Sequence, residues 1–244
     1  MRNAMVAVGD ILGIKRLILN NSIETLRTKY LPDIYNTIRS SIIEAPSVPL
    51  SHEDIVRHGY VGHAQFNDMV IIYSLEDHPD AHRNVINATY HLLALSILFP
   101  YIRFRIGISY GEFYYDRENN IYIGKAFLEA LELAEYQEWV GAAIAPLAYS
   151  QLYERDPLKS IIVEYNVPLK KGHRFSSPLY AINWTRANHE PITREKGWMP
   201  REFPFAIPYT EEHFSIVRKI ENTECFHAEK CNLCKRLRER RYRK

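Results

Sequence analysis

Residues 63–77, HAQFNDMVIIYSLED, set the pair Asn67 and Asp68 between two apolar arms. Both side chain types tolerate the left-handed backbone of a tight turn, so the stretch predicts a β-hairpin whose second arm, MVIIYSL, is rich in β-branched residues. Asp68 then sits where the chain reverses. A carboxylate there is ordinary turn chemistry, unless a second one closes a neighbouring strand.

The rest of the chain supplies that neighbour. AMVAVGD is an apolar strand ending in Gly9 and Asp10, and from Ile11 the pattern turns helical, continuing through SIETLRTKYLPDIYNTIRSSII with apolar residues every three or four positions. IIEAPSVPLSHED holds two prolines and reads as loop. After the hairpin, PDAHRNVINATYHLLALSILF opens on Pro-Asp and predicts a helix; IRFRIGISYGEFYYD alternates as a strand, and RENN turns it into IYIG. KAFLEALELAEYQ predicts a helix, WVGAAIA a strand and PLAYSQLYERD another helix. SIIVEYNVPLK and PLYAINW predict strands flanking the turn KGHRFSS. The order predicts an α/β (α+β) fold with a βαββαβ core, mostly antiparallel, with helices on one face. Beyond Thr185 a proline-rich excursion leads into a C-terminal helical extension. The expected division is 1–184 for the α/β domain and 185–244 for the excursion and basic helix.

In such a sheet Asp10 and Asp68 close adjacent strand ends. Two carboxylates with a backbone carbonyl nearby, here that of Ile11, suit two divalent ions such as Mg²⁺ or Mn²⁺, which in turn clamp a nucleoside triphosphate. Gly13 lets the backbone approach an anion ahead of a helix. No Walker loop or GxGxxG is present, which excludes the P-loop and Rossmann solutions.

A length of 244 residues at 46% hydrophobic suffices for a sizeable core. The longest apolar run, in ATYHLLALSILFPYI, is interrupted by His91 and Ser96 and is too short to span a bilayer, and the N-terminus lacks the features of a secretory signal. No membrane span and a cytoplasmic location are expected. Formal charge is +2, although the last ten residues, KRLRERRYRK, hold seven Lys or Arg against one Glu. This tail reads as a solvated helix end in preference to a contact for acidic lipid or nucleic acid, which is not an expected partner. Cys225, His227, Cys231 and Cys234 offer four zinc ligands, but with little loop between them; free thiols on a helix are the preferred reading.

The GDILG strand end, the FNDMVIIYS hairpin, RFRIGISYGEFYYD, YIGKAFLEALELAE and WVGAAIAP resemble, in order and spacing over roughly residues 4–184, the catalytic domain of class III nucleotidyl cyclases. The resemblance implies a ferredoxin-like core, Asp10 and Asp68 as catalytic metal ligands with two Mg²⁺ or Mn²⁺ per active site, and a homodimer with the site between subunits. It also makes Lys170 or Lys171 the phosphate-binding lysine. Departures narrow the subclass. Leu128 stands where the family's helix has an asparagine and Glu132 where it has the transition-state arginine; Ala64 and Ile121 replace the purine-selecting lysine and aspartate. Arg103, Arg105 and Lys125 are candidates for the missing cation, and Tyr60 and His63 for reading the base, with packing roles equally open. The chain looks most like the bacterial anti-phage Pycsar cyclases, a resemblance that implies conversion of UTP or CTP to cyclic UMP or cyclic CMP, which signals to a separate effector. The alternative is an inactive cyclase-like module that binds a nucleotide or a protein.

Overall fold

The computed structural model describes residues 2–44, 61–96, 102–154, 159, 161–176 and 179–184. Residues 45–60, Tyr60 included, and everything from 185 onward, with Cys225, His227, Cys231 and Cys234, lie outside the described residues.

β1 (Arg2–Ile11) alternates its side chains between two cores. Met5 and Ala7 join one cluster; Ala4, Val6 and Val8 join the other. A strand buried on both faces reads as a continuous apolar run, and this one does. The helical stretch that follows is broken. α1 (Ile14–Leu19) ends at Asn20, and Ser22 caps a new start by accepting from the Thr25 amide at 3.1 Å. A short α2 (Ile23–Thr25) widens into a π-helical turn, Leu26–Tyr30, before α3 (Leu31–Glu44). Pro32 explains the widening, because its ring would crowd the carbonyl four residues back and it has no N–H to offer.

β2 (Gly62–Phe66) and β3 (Met69–Tyr73) form the hairpin, α4 (Pro79–Ser96) crosses back, and the long β4 (Phe104–Asp116) follows. β5 (Ile121–Ile123), α5 (Lys125–Tyr136), β6 (Gly141–Ile144), α6 (Pro146–Ser150), β7 (Ile162–Tyr165) and β8 (Leu179–Ile182) complete the described elements. The sheet runs β2-β3-β1-β4-β6-β8-β7, with β5 folded onto β4. Its first four strands are antiparallel in the order of a ferredoxin-like βαββαβ unit, and the β4–β6 pair is parallel.

α3 and α4 cover one face through Ile34, Ile38, Ile42, Val85, Ile86, Leu92 and Leu93. α5 lies on the other face, against β4 and β1. Gly107 makes this approach possible. A Cβ there would sit 2.1 Å from the Ala130 carbonyl oxygen and 2.7 Å from the Ala134 nitrogen. No helix among the described residues is long and apolar enough to cross a membrane.

Candidate active site

Asp10 is the penultimate residue of β1, in register with Met69 on β3 and Arg105 on β4. Phe66, Met69, Asp10, Arg105 and Gly141 thus form one row across five strands, on the face that α5 covers. The chain beyond Asp10 is held from both sides. The Ile11 amide donates to the Asp68 carbonyl at 2.9 Å, and the Leu12 amide donates to the Arg103 carbonyl at 2.8 Å. The first bond ties the hairpin tip, at the Asp68 backbone, to the end of β1, one residue beyond Asp10.

The turn does not need the Asp68 side chain. Asn67 takes the left-handed position, with φ 51, and Asp68 contributes its backbone carbonyl. The Asp68 carboxylate is partly exposed and has no hydrogen-bond or ion-pair partner among the described residues. Gly13 adopts φ 85 just beyond, and the Leu17 amide donates to its carbonyl at 3.1 Å as α1 begins.

Asp10 has a strong partner. Arg105 Nε donates to Oδ1 at 3.0 Å and Nη2 donates to Oδ2 at 2.8 Å, a bidentate pair whose arginine is 8% exposed. The remaining nitrogen, Nη1, donates to the Glu135 and Gln137 carbonyls at 3.2 and 3.3 Å. The guanidinium therefore bridges the end of β1 to the C-terminus of α5, where its charge complements the helix dipole. The Glu135 carbonyl also accepts from Lys170 Nζ at 2.5 Å. Arg105 is interposed between Asp10 and the acceptor that holds Lys170.

An ionised carboxylate has about four lone-pair positions, of which the arginine takes two, so Asp10 retains acceptor capacity toward solvent. The carboxylates of Asp10 and Asp68 and the carbonyl of Ile11 are hard oxygen donors, of the type that would suit Mg²⁺ or Mn²⁺. Among the described residues no cluster of three or more His, Cys, Asp or Glu is placed to hold a metal. Ions here would need substrate oxygens or water to complete their shells.

The three cations named as substitutes for a helix arginine have separate engagements. Arg105 is bound to Asp10. Arg103 is half-buried, its Nη1 donating to the Ser96 and Ile102 carbonyls at 3.0 and 2.7 Å, and desolvation lowers its pKa to about 10. Lys125 pairs with Glu112 at 2.8 Å on the surface. On α5, Leu128 is 57% exposed, and Glu132 carries an arginine that sequence reasoning missed: Arg174 Nη2 lies 2.7 Å from its Oε2. The signal was the arginine of KGHRFSS, a stretch that reads as a turn between strands. Lys171 is exposed on the same loop.

The base-reading candidates divide. His63 and Ala64 are consecutive on a strand and face opposite ways. Ala64 pairs with Ile71 on the α5 face, whereas His63 pairs with Ile72 on the α3 and α4 face. The two do not line one pocket within this chain. Ile121 is 41% exposed on β5; its neighbour Tyr122 packs edge-on against Phe66, with ring centroids 5.5 Å apart, two residues from Ala64.

Two solved structures share the architecture. The catalytic core of a rhodopsin-guanylyl cyclase with converted specificity, in complex with ATPαS, aligns with a TM-score of 0.50 at 14% identity over 74% of this chain and 94% of that one. An adenylate cyclase from Trypanosoma brucei, analysed in its monomeric state, aligns with a TM-score of 0.50 at 15% identity over 74% of this chain and 88% of that one. No family model and no curated protein matches the sequence. The chain has the class III nucleotidyl cyclase fold.

Proposed function

We propose that the protein is a pyrimidine nucleotide cyclase that converts UTP or CTP to the 3′,5′-cyclic monophosphate and pyrophosphate. The observation that supports this reading is the 2.9 Å backbone bond from the Ile11 amide to the Asp68 carbonyl, which ties the hairpin tip to the strand end that bears Asp10. Asp10 and Asp68, with the Ile11 carbonyl, would hold Mg²⁺ or Mn²⁺. When bound, such ions neutralise phosphate charge and lower the pKa of the ribose 3′-hydroxyl. In the reaction the 3′-oxygen bonds to the α-phosphorus, the bond from that phosphorus to the β-phosphate oxygen breaks, and the hydroxyl proton leaves to solvent. Arg105 fixes the orientation of Asp10 throughout. Lys170 and Lys171 offer positive charge to the triphosphate.

The pyrimidine assignment rests on Ala64 and Ile121. Neither side chain can hydrogen-bond a purine edge, and each buried polar group left unpaired costs about 1–3 kcal/mol. The dimer belongs to the same proposal: Tyr114, Ile121, Ile123 and Leu128 are exposed around β5 and α5, an apolar surface that favours a second copy. The cyclic product would act on a separate effector in anti-phage signalling in the cytoplasm. A second reading, a cyclase-like binding module without activity, is favoured by Leu128 and Glu132. Alanine substitution separates the two. Asp10→Ala and Asp68→Ala should each lower turnover by at least about 10²-fold in folded protein. Undiminished turnover in either variant contradicts the two-metal assignment, and absence of wild-type turnover favours the binding module.

A further inference from the structure

The loop that follows β7 is docked to the end of α5 by its backbone. The Glu138 amide donates to the Pro168 carbonyl and the Lys170 amide to the Tyr136 carbonyl, each at 2.8 Å, and Leu169 bridges Gln137. Gly172, at φ 86 with nothing within 4 Å of a notional Cβ, then reverses the chain. The result is a rigidly seated turn whose cations meet successive positions of one helix. Lys170 Nζ reaches the Glu135 carbonyl, and three residues earlier on α5 the Glu132 carboxylate holds Arg174.

The two contacts differ in kind. Lys170 donates to a helix-end carbonyl that Arg105 shares, an uncharged acceptor, and remains exposed. The Arg174–Glu132 pair lies on the surface, with the arginine side chain 65% exposed and the glutamate 43% exposed. Exposed pairs of this type contribute little to stability, and exchanging one carboxylate for another anion loses little. A guanidinium has a fork of N–H donors that matches two phosphate oxygens as well as it matches a carboxylate.

We propose that Arg174 is a phosphate contact for the triphosphate substrate, and that Glu132 is the carboxylate that substrate displaces from it. This rests on the cyclase reading and extends it by a residue pair. Glu132 thereby has two effects: it holds the guanidinium in place on α5, and it competes with the phosphates for it. The two partners of the pair should consequently act on substrate affinity in opposite directions. A pair that served only to brace the loop would give changes in the same direction, because removing either partner breaks it.

The test is calorimetric titration of the full chain with the non-reactive probe α,β-methylene-UTP, or its CTP counterpart, and with inorganic tripolyphosphate, all with Mn²⁺. Arg174→Ala should weaken binding of both probes by about tenfold or more, the scale of one charge-assisted hydrogen bond. Arg174→Lys should fall between. Glu132→Gln should tighten binding about threefold or more, and the double variant should match Arg174→Ala. Equal binding in Arg174→Ala and wild type, or weakening in Glu132→Gln, overturns the proposal; wild-type turnover of a nucleotide in the same preparation then leaves the cyclase reading standing. A wild type that neither binds the probes nor turns over any nucleotide overturns both.

Discussion

Arg105 and Asp10 are directly opposite on β4 and β1, and the arginine grips the aspartate through both oxygens, at 3.0 and 2.8 Å. A nearly buried guanidinium therefore sets the orientation of the carboxylate on which the proposed metal site depends. Replacing Arg105 with Met strands a partly buried charge and two carbonyls at the end of α5, and should destabilise the fold by about 1–3 kcal/mol, discounted because Asp10 is itself a third exposed. Urea unfolding should show part of that loss recovered when Asp10→Asn is added, since the stranded charge is then gone. An additive pair of effects would mean that the two side chains do not act on each other.

Gly107 is a point of close approach between α5 and β4. Gly107→Ala forces a backbone shift, and a cost of at least about 1–3 kcal/mol is expected in the urea midpoint. An unchanged midpoint would mean that α5 does not rest on β4 as described.

Acid should weaken the fold through buried histidine. His82 is 2% exposed, and burial holds its pKa below the ordinary 6.5, against the opposing pull of Asp77, whose Oδ1 lies 3.4 Å from Nε2; burial lowers His91 as well. The unfolded chain then takes up protons first as pH falls through 6.5, so stability is full above that value and declines below it, toward the depressed folded pKa values. The urea midpoint should be lower at pH 5.5 than at pH 7.5, and His82→Gln should reduce the difference. A wild-type midpoint that rises on acidification would contradict the assignment.

The strands of the core were legible in the sequence. Val6, Val8, Ile71 and Ile106 alternate or run as β-branched series, and Asn67 with Asp68 can only turn a chain held by such arms. The π-helical turn was not legible, because periodicity runs unbroken through Pro32 and does not register the crowding its ring causes. Nor was the helix on the second face, which depends on Gly107 meeting Ala130 across the sheet. At the candidate site, the sequence nominates both aspartates from their positions at strand ends, and the structure has Asp10 at the end of β1 and Asp68 in the hairpin turn. The partner of Asp10 was not, since Arg105 is 95 residues away and is brought opposite only by register. Arg174 escaped notice for the same reason: its position on α5 follows from how the loop after β7 docks.

Within one chain Lys170 is turned to the Glu135 carbonyl, with Arg105 between it and Asp10. In the proposed dimer, a second copy presents its lysine to the carboxylates. Asp10→Ala chains mixed with Lys170→Ala chains, each inactive alone, should regain about a quarter to a half of wild-type activity per heterodimer, because one of its two shared sites carries neither substitution. Verified heterodimers that remain inactive would place the whole site in a single chain.

The central claim is tested most directly by the identity of the product. The purified protein, given equimolar UTP, CTP, ATP and GTP with Mn²⁺, should form a cyclic pyrimidine nucleotide and pyrophosphate, with a kcat/KM for UTP or CTP at least about tenfold above either purine, which corresponds to about 1.4 kcal/mol. Cyclic AMP or cyclic GMP as the main product would contradict the reading of Ala64 and Ile121 while leaving Asp10 and Asp68 in place. No cyclic product from any of the four would contradict the account as a whole.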